Sequence, residues 1–238
     1  MHFYRSLSPI KAITFDLDDT LYDNAPFLKQ AVEKMMAAVR QVDGLQDAEL
    51  AEYDQVKQAI LLDKPDIYHD VFAWRAESIR RFLKVKGIKD QRQINQITDQ
   101  AMDNFVFWRN KVIVPEASLA ILAALAETYP LAVITNGNAD INQIGLQSYF
   151  KFALRGGADG LSKPFADMFK LAAKKLQLPI GSILHVGDHL YADVQGAINS
   201  GMQACWINES GIDIYQHDDA TVLPHLEIKQ LSELNSLL

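Results

Sequence analysis

The sequence predicts an α/β protein in which a parallel sheet is interrupted, just after its first strand, by a long helical insertion. Three observations carry this prediction. Residues 10–17 form a short β-rich run that ends in a cluster of aspartates. Residues 26–110 have helical periodicity almost throughout, and the rest alternates short apolar runs with helical stretches. With 238 residues, the chain can form one large domain that carries an insertion.

The helical insertion begins with a stripe of apolar residues at helical spacing: Leu28, Val32, Met35, Met36 and Val39. The same helical periodicity predicts helices over residues 49–62, 66–86 and 90–110, and the breaks fall at Gly44, Pro65 and Gly87. A strand–helix–strand unit needs only ~30 residues, far fewer than separate Leu17 from Val133. We therefore expect residues 22–113 to form a separate helical domain, and residues 1–21 and 114–238 to form the α/β core.

The remaining elements alternate in the order expected of a parallel sheet. Short strands that are apolar on both faces and are separated by helices are typical of such sheets. The predicted order is helix 116–128, strand 131–135, helix 140–148, strand 150–155, helix 165–177, strand 182–187, helix 192–200 and strand 203–207.

The composition excludes several classes of protein. The single cysteine, Cys205, rules out an internal disulfide and a thiolate zinc cluster. The net charge of −7 argues against general nucleic-acid binding, which needs a basic face. The apolar run 117–126 is too short to cross a bilayer, and the first residues lack the apolar region of a signal peptide. We therefore expect a soluble cytoplasmic protein, a monomer or small homo-oligomer, without nucleic-acid or membrane partners.

Polar segments follow the predicted strands where a parallel sheet places its ligands. They are Asp16 to Thr20, Thr135 to Gly137, Lys163 with Pro164, and Gly187 to Asp188 with Asp193. Aspartates two residues apart, joined by one from another strand, make an oxygen site for Mg²⁺. A carboxylate is also a competent nucleophile towards phosphorus. The four segments therefore predict one site for phosphoryl transfer.

Each candidate residue has a chemical role in that transfer. One carboxylate of the cluster is the candidate nucleophile, and Asp18 is placed to protonate the leaving alkoxide and then activate water. Lys163 supplies positive charge for the phosphoryl oxygens. Thr135 and Asn136, at a strand-to-helix turn, supply hydrogen-bond donors to the same oxygens.

The four segments, DLDDTLYD, ITNGN, SKP and GDHLYAD, resemble in this order the four motifs of the haloacid dehalogenase superfamily. The resemblance covers the whole chain. It implies a doubly wound, Rossmann-like core with a C1-type helical cap, Mg²⁺ as cofactor, and a small phosphate ester as substrate. Asp16 and Asp18 would be catalytic, and Thr135, Asn136 and Lys163 would bind phosphate. Asp16, Asp18 (through its carbonyl) and Asp188 would bind the metal, with Asp193 behind them.

The chain is most similar to bacterial members that hydrolyse flavin mononucleotide and 5-amino-6-(5-phospho-D-ribitylamino)uracil, and the similarity extends to IYHDVFAWR and GMQACWI. It departs from many relatives at His189, where they carry a second acid. A sugar-phosphate phosphatase or phosphomutase keeps every motif and stays open. A haloacid dehalogenase or phosphonatase is disfavoured because neither needs Asp18, and a non-enzymatic binding protein would be expected to have lost Asp16, Asp18 or Lys163.

Residues outside the motifs have simpler interpretations. His185 reads as a core histidine, His69 as a solvent-facing helix residue, and Asp19 as a turn residue. Tyr22 is a candidate for the site entrance. Four aromatic residues are expected in the core of the helical domain: Trp74, Phe105, Phe107 and Trp108.

Overall fold

A computed structural model describes residues 1–238, and the chain divides into two compact units. The first unit, which we call the α/β unit, comprises residues 1–23 and 113–238. The second, the helical unit, comprises residues 24–112. The divisions fall within two residues of the boundaries expected from the sequence. No helix in either unit is both long and apolar enough to span a bilayer.

The helical unit contains four α-helices: α1 (Ala25–Arg40), α2 (Leu50–Asp63), α3 (Val71–Val85) and α4 (Gln91–Arg109). The stripe on α1 is apolar at helical spacing, and it packs against α4 in a core of this unit's own. The predicted helix over residues 66–86 is wrong at its start. Residues 65–69 form a 3₁₀ turn, and α3 begins after Asp70, whose carboxylate accepts hydrogen bonds from the amides of Phe72 and Ala73.

Two residues of this unit lie elsewhere than the sequence suggested. Phe105 is fully buried as expected, but the Phe107 side chain is 54% exposed, because it lies on the outer face of α4. His69 is buried rather than solvent-facing, since it belongs to the 3₁₀ turn and not to an exposed helix face.

The α/β unit is built on one seven-stranded sheet. Its strands are β1 (His2–Phe3), β2 (Ala12–Phe15), β3 (Leu131–Thr135), β4 (Phe150–Arg155), β5 (Ile183–Gly187), β6 (Gln203–Ile207) and β7 (Leu226–Ile228). The order across the sheet is β1-β7-β6-β5-β2-β3-β4, and only β1 is antiparallel to its neighbour. The predicted α/β class is confirmed. Strands β1 and β7, at one end of the sheet, were not predicted.

The helices of this unit are α5 (Glu116–Thr128), α6 (Asp167–Leu176) and the short α7 (Gly196–Ser200). The predicted helix over residues 140–148 is wrong. Asp140 instead accepts hydrogen bonds from the amide and the side chain of Asn142, and Gly145 has a φ of 78°, so local turns replace the helix. Before α7 the chain forms a wider, π-helical turn over residues 190–195, which His189 caps through its ring nitrogen.

Candidate active site

Asp16 follows directly after β2, the strand that lies between β5 and β3 in the sheet. The side chains of β2 are buried on both faces, so the strand is fixed on either side and delivers Asp16 to the carboxyl edge of the sheet. Burial raises the pKa of Asp16; Lys163 opposes this, while the carboxylates of Asp193, Asp18 and Asp188 add to it.

The chain reverses immediately after Asp16. Asp19 adopts a φ of 57°, a left-handed conformation typical of turns, which agrees with its interpretation as a turn residue. The reversal brings the hydroxyl of Tyr22 to Asp18, where it donates a hydrogen bond to Oδ1 at 2.7 Å. Tyr22 is itself buried, and it thus orients the second motif carboxylate.

Lys163 lies at the centre of the polar cluster. Its ammonium donates to Oδ1 of Asp193 at 2.6 Å and to the carbonyl of Ile134 at 2.7 Å, and it lies 3.0 Å from Oδ1 of Asp16. Burial alone would lower the pKa of Lys163, but the two carboxylates raise it above its ordinary value. A fully charged ammonium is therefore held in the interior, 3% exposed, where its field is little screened.

Both side-chain oxygens of Asp193 are occupied by contacts within the protein. Lys163 and the Nε2 atom of His185 both contact its Oδ1, and the amide of His189 donates to its Oδ2 at 3.0 Å. Burial would raise the pKa of Asp193, but Lys163 and His185 hold it well below its usual range. We infer that this carboxylate stays ionised and holds the lysine in place.

His185 is the site contact that sequence reasoning missed. It is buried in β5, as a core histidine should be, yet Nδ1 lies 2.9 Å from the hydroxyl of Thr14 and Nε2 lies 3.1 Å from Asp193. Burial lowers its pKa. The spacing of eight residues between His185 and Asp193 gives no signal of contact, because it depends on the turn after β5.

Asp188 follows β5 as Asp16 follows β2. The hydroxyl of Thr20 donates to its Oδ1 at 3.1 Å, and the indole of Trp206 donates to its carbonyl at 2.8 Å. Burial raises the pKa of Asp188, and the charge of Asp193 adds to the effect. The next residue, His189, lines a cavity of about 340 Å³ together with Asp188 and His217.

In the segment after β3, the backbone approaches the side chains of the site closely. The amide of Gly137 donates to the hydroxyl of Thr135 at 3.0 Å. A Cβ atom added to Gly137 would lie 2.5 Å from Oδ2 of Asp18, so only glycine fits there without displacing the carboxylate. The amide nitrogen of the Asn138 side chain is buried without a hydrogen-bond partner, so one donor in this segment is available for a bound group.

The side chain of Asn136 binds the backbone of Lys163. Its Oδ1 accepts from the backbone amide of Lys163 at 2.7 Å, and its Nδ2 donates to the carbonyl of the same residue at 2.9 Å. The side-chain amide therefore fixes the backbone of Lys163. That Asn136 supplies a hydrogen-bond donor to phosphate stays a prediction.

The donor set suits a hard cation. Oxygen atoms of Asp16, Asp188 and Asp193 all lie within 4.8 Å of one another. Lys163 is the one ammonium inside this group, so negative charge exceeds positive charge; burial raises the pKa values of Asp16 and Asp188, and the neighbouring carboxylates raise them further. All-oxygen coordination with uncompensated negative charge fits a divalent ion such as Mg²⁺.

Comparison with known proteins agrees with this geometry. The family model described as haloacid dehalogenase-like hydrolase matches residues 10–201. The chain is 46% identical, over all of both chains, to 5-amino-6-(5-phospho-D-ribitylamino)uracil phosphatase YigB of Escherichia coli K12. It is 26% identical to human N-acylneuraminate-9-phosphatase, over 98% of this chain and 95% of the relative.

Among solved structures, the fold is similar to a 2-haloacid dehalogenase from Pseudomonas syringae pv. Tomato DC3000. The TM-score is 0.88 with 33% identity, and the match covers 96% of this chain and 97% of the other. Both the family model and the full-length relative therefore lead to the same assignment: the chain belongs to the haloacid dehalogenase-like hydrolase family.

Proposed function

We propose that the protein is a Mg²⁺-dependent phosphomonoesterase that forms an aspartyl-phosphate at Asp16. The observation that carries this proposal is the pairing of one buried ammonium, Lys163, with Asp16, beside a second carboxylate, Asp18, that Tyr22 orients. A phosphatase that acts through an aspartyl-phosphate needs both a nucleophilic carboxylate and a group that exchanges a proton with the leaving oxygen.

Each residue of the site has its own role in the proposed reaction. An oxygen of Asp16 attacks phosphorus, the bond from phosphorus to the alkoxide oxygen breaks, and Asp18 gives its proton to that oxygen. In the second half, Asp18 takes a proton from water, and the water oxygen attacks phosphorus to release Asp16 and inorganic phosphate. Lys163 and Thr135 hold the phosphoryl oxygens while charge redistributes among them. Asp193 keeps Lys163 in position.

The metal belongs with the carboxylates described above. Asp16, the carbonyl of Asp18 and Asp188 would hold Mg²⁺, which when bound neutralises charge on the transferring phosphoryl group. Asp193 remains behind this set, because its oxygens already contact Lys163, His185 and the His189 amide. Thr20 orients Asp188 through its hydroxyl.

We propose a phosphorylated ribityl chain that bears a planar heterocycle as the substrate, and flavin mononucleotide and 5-amino-6-(5-phospho-D-ribitylamino)uracil as the compounds to test. The full-length relative at 46% identity is named as a phosphatase of the latter. The helical unit, residues 24–112, is proposed to be the cap that selects the leaving group. The site of action is proposed to be the cytoplasm.

A haloacid dehalogenase is the second candidate, because the structural relative at 33% identity carries that name. In that reaction a carboxylate displaces halide from carbon, and no proton needs to reach the leaving group. A carboxylate at Asp18 and an acidic metal site including Asp188 have no use in that chemistry. Both residues therefore favour the phosphatase.

The test is a ranked comparison of specificity constants for the purified protein, with Mg²⁺ and with a chelator. The substrates are the two ribityl phosphates, hexose phosphates, 5′-nucleotides, p-nitrophenyl phosphate and a 2-haloacid. We expect metal-dependent phosphate release, with the ribityl compounds among the best substrates. If the specificity constants for hexose phosphates exceed those for the ribityl compounds by about tenfold or more, the assignment changes to a sugar-phosphate phosphatase. Halide release without metal would establish the dehalogenase.

A further inference from the structure

The position of the Lys163 ammonium is set by groups other than the proposed nucleophile. Its two aligned hydrogen bonds go to Oδ1 of Asp193 at 2.6 Å and to the carbonyl of Ile134 at 2.7 Å. Oδ1 of Asp16 lies 3.0 Å from the ammonium, yet it has no hydrogen-bond partner. The two hydrogen bonds therefore fix where the positive charge lies. A group that fixes Asp193 also fixes the distance between that charge and Asp16.

One oxygen of Asp193 is shared between two side chains. Besides the ammonium of Lys163, Nε2 of His185 lies 3.1 Å from the same Oδ1 atom. A carboxylate oxygen has two lone-pair sites, so the lysine and the histidine together define where this oxygen lies. The rest of the carboxylate is held by the backbone: the amide of His189 donates to Oδ2, and a Cβ atom added to Gly187 would overlap the carboxyl carbon.

The contacts of the His185 ring specify its tautomer. An ionised carboxylate only accepts hydrogen bonds, so Nε2 carries the proton that points at Asp193. Burial lowers the pKa of His185, although Asp193 opposes this, so the ring is neutral and Nδ1 is an acceptor. The hydroxyl of Thr14, 2.9 Å from Nδ1, is then the donor to it. Thr14 and His185 are paired directly on the parallel strands β2 and β5, so the sheet itself orients the ring.

The ring is also confined on the side of the helices. His185 is 1% exposed, and the ring of Phe169, on α6, lies nearly perpendicular to it with the centroids 5.1 Å apart. Phe169 in turn lies against Gly196, where an added Cβ atom would meet the aromatic ring at 2.9 Å. Packing between β5 and α6 thus keeps Nε2 directed at the carboxylate.

We propose that His185 is a positioning residue for phosphoryl transfer: its Nε2–H fixes Oδ1 of Asp193, and that oxygen fixes the Lys163 ammonium beside Asp16. The role rests on the proposed phosphatase function and deepens it, because the ammonium must lie where the phosphoryl oxygens will be. A misplacement of about 1 Å in such a site lowers the rate by about 10²-fold. The histidine exchanges no proton in this role. It acts through the carboxylate that it holds.

The kinetic experiment compares the loss of the Nε2 donor with its replacement. His185→Leu removes both ring nitrogens at similar volume, whereas His185→Gln keeps an amide N–H near the position of Nε2. His225→Leu is the matched control, because the His225 ring also accepts a backbone hydrogen bond, from the amide of Ala204 at 3.1 Å. With p-nitrophenyl phosphate and saturating Mg²⁺, kcat should fall ~10–100-fold in His185→Leu. It should stay within about fivefold of wild type in His185→Gln and within about threefold in His225→Leu.

Urea unfolding of the same variants separates positioning from a structural role. A merely structural histidine would leave His185→Leu and His185→Gln less stable than wild type, with the kcat of the folded protein unchanged. That result overturns the proposal, and so does an equal loss of kcat in both variants. If His185→Leu does not fold, His185→Asn takes its place with the same expected loss, since its shorter amide reaches Thr14 but not Asp193.

Nitrogen NMR tests the same role without turnover. In ¹⁵N-labelled wild type, His185 should carry its proton on Nε2, and the buried Lys163 ammonium should give a slowly exchanging Nζ signal. This signal should shift in His185→Leu and stay in place in His225→Leu. A proton on Nδ1 of His185, or an unchanged Lys163 signal in His185→Leu, overturns the proposal. If the wild type releases phosphate from no substrate, the proposed function fails, and the Lys163 signal still decides whether His185 positions the ammonium.

Discussion

The ammonium of Lys163 lies closer to Asp193 than to Asp16, with distances to the respective Oδ1 atoms of 2.6 and 3.0 Å. The two carboxylates also differ in their pKa. Lys163 and His185 hold the pKa of Asp193 well below its usual range, whereas burial keeps the pKa of Asp16 raised despite Lys163. The carboxylate proposed to attack phosphorus is therefore the more basic of the two, and a more basic oxygen is the better nucleophile.

Replacing the proposed nucleophile should remove turnover. An amide at position 16 cannot form the acyl phosphate, so Asp16→Asn should lose at least about 10³-fold in kcat, as expected when one member of a catalytic unit is removed. Phosphate release at saturating substrate measures the effect. Residual activity above roughly one hundredth of wild type would exclude the covalent route.

The same variant should gain stability relative to wild type as the pH rises. The folded-state pKa of Asp16 is raised, so its contribution is full below the unfolded-state pKa and is lost as the pH rises through the folded-state value. The amide of the variant does not ionise and has no such loss. With a chelator present, the free energy of unfolding of Asp16→Asn minus that of wild type should therefore increase between pH 5 and pH 8, by about 1 kcal/mol or more. Urea unfolding at both pH values checks this, and a constant difference contradicts it.

Removing the proposed acid/base should have an effect that depends on the leaving group. Asp18→Asn should lower the rate by ~10²–10⁴-fold for alkyl phosphates, because the alkoxide then leaves without a proton. The loss should be smaller for p-nitrophenyl phosphate, whose leaving group needs no proton. Asp19→Asn is the matched control, since asparagine also tolerates the left-handed conformation found there. Equal losses for all leaving groups would count against the acid role.

A methyl group at position 137 should disturb the site without unfolding the protein. In Gly137→Ala the Cβ atom would meet Oδ2 of Asp18 at 2.5 Å and Oγ1 of Thr135 at 3.3 Å. Displacing Asp18 by a fraction of an ångström to an ångström should lower kcat by about 10²-fold. Gly181→Ala is the control, because its Cβ would lie 3.7 Å from the nearest atom. Matching activities in the two variants would show that Asp18 is not confined by Gly137.

The parts of the fold that the sequence predicted are those with a local signal. Strands β3 and β6 begin and end at the predicted residues because their side chains are apolar and buried on both faces. Strands β1 and β7 have two and three residues, too few to show a period, and they form by pairing with each other and, for β7, with β6. The predicted helix over residues 140–148 does not form, because the turn formed by Asp140 competes with a helix start.

The site shows the same division between local and long-range information. Motif spacing predicted that Asp16, Lys163 and Asp188 belong to one site, and the fold brings them to one edge of the sheet. The hydrogen bond of His185 to Asp193 and the attachment of Asn136 to the Lys163 backbone depend on tertiary placement. The sequence around His185, an apolar strand, does not indicate that its side chain will contact the charged group of Asp193.

The position of β2 also dictates when the centre can assemble during synthesis. This strand emerges from the ribosome early, yet it bonds to β3 and β5, and the contact of Thr14 with His185 joins residues 171 positions apart. The helical unit, by contrast, is continuous in the chain and has its own core, so it can fold while the rest is still being translated. Asp16 can therefore pair with Lys163 only after most of the polypeptide has been synthesised. The active site is among the last parts of the protein to form.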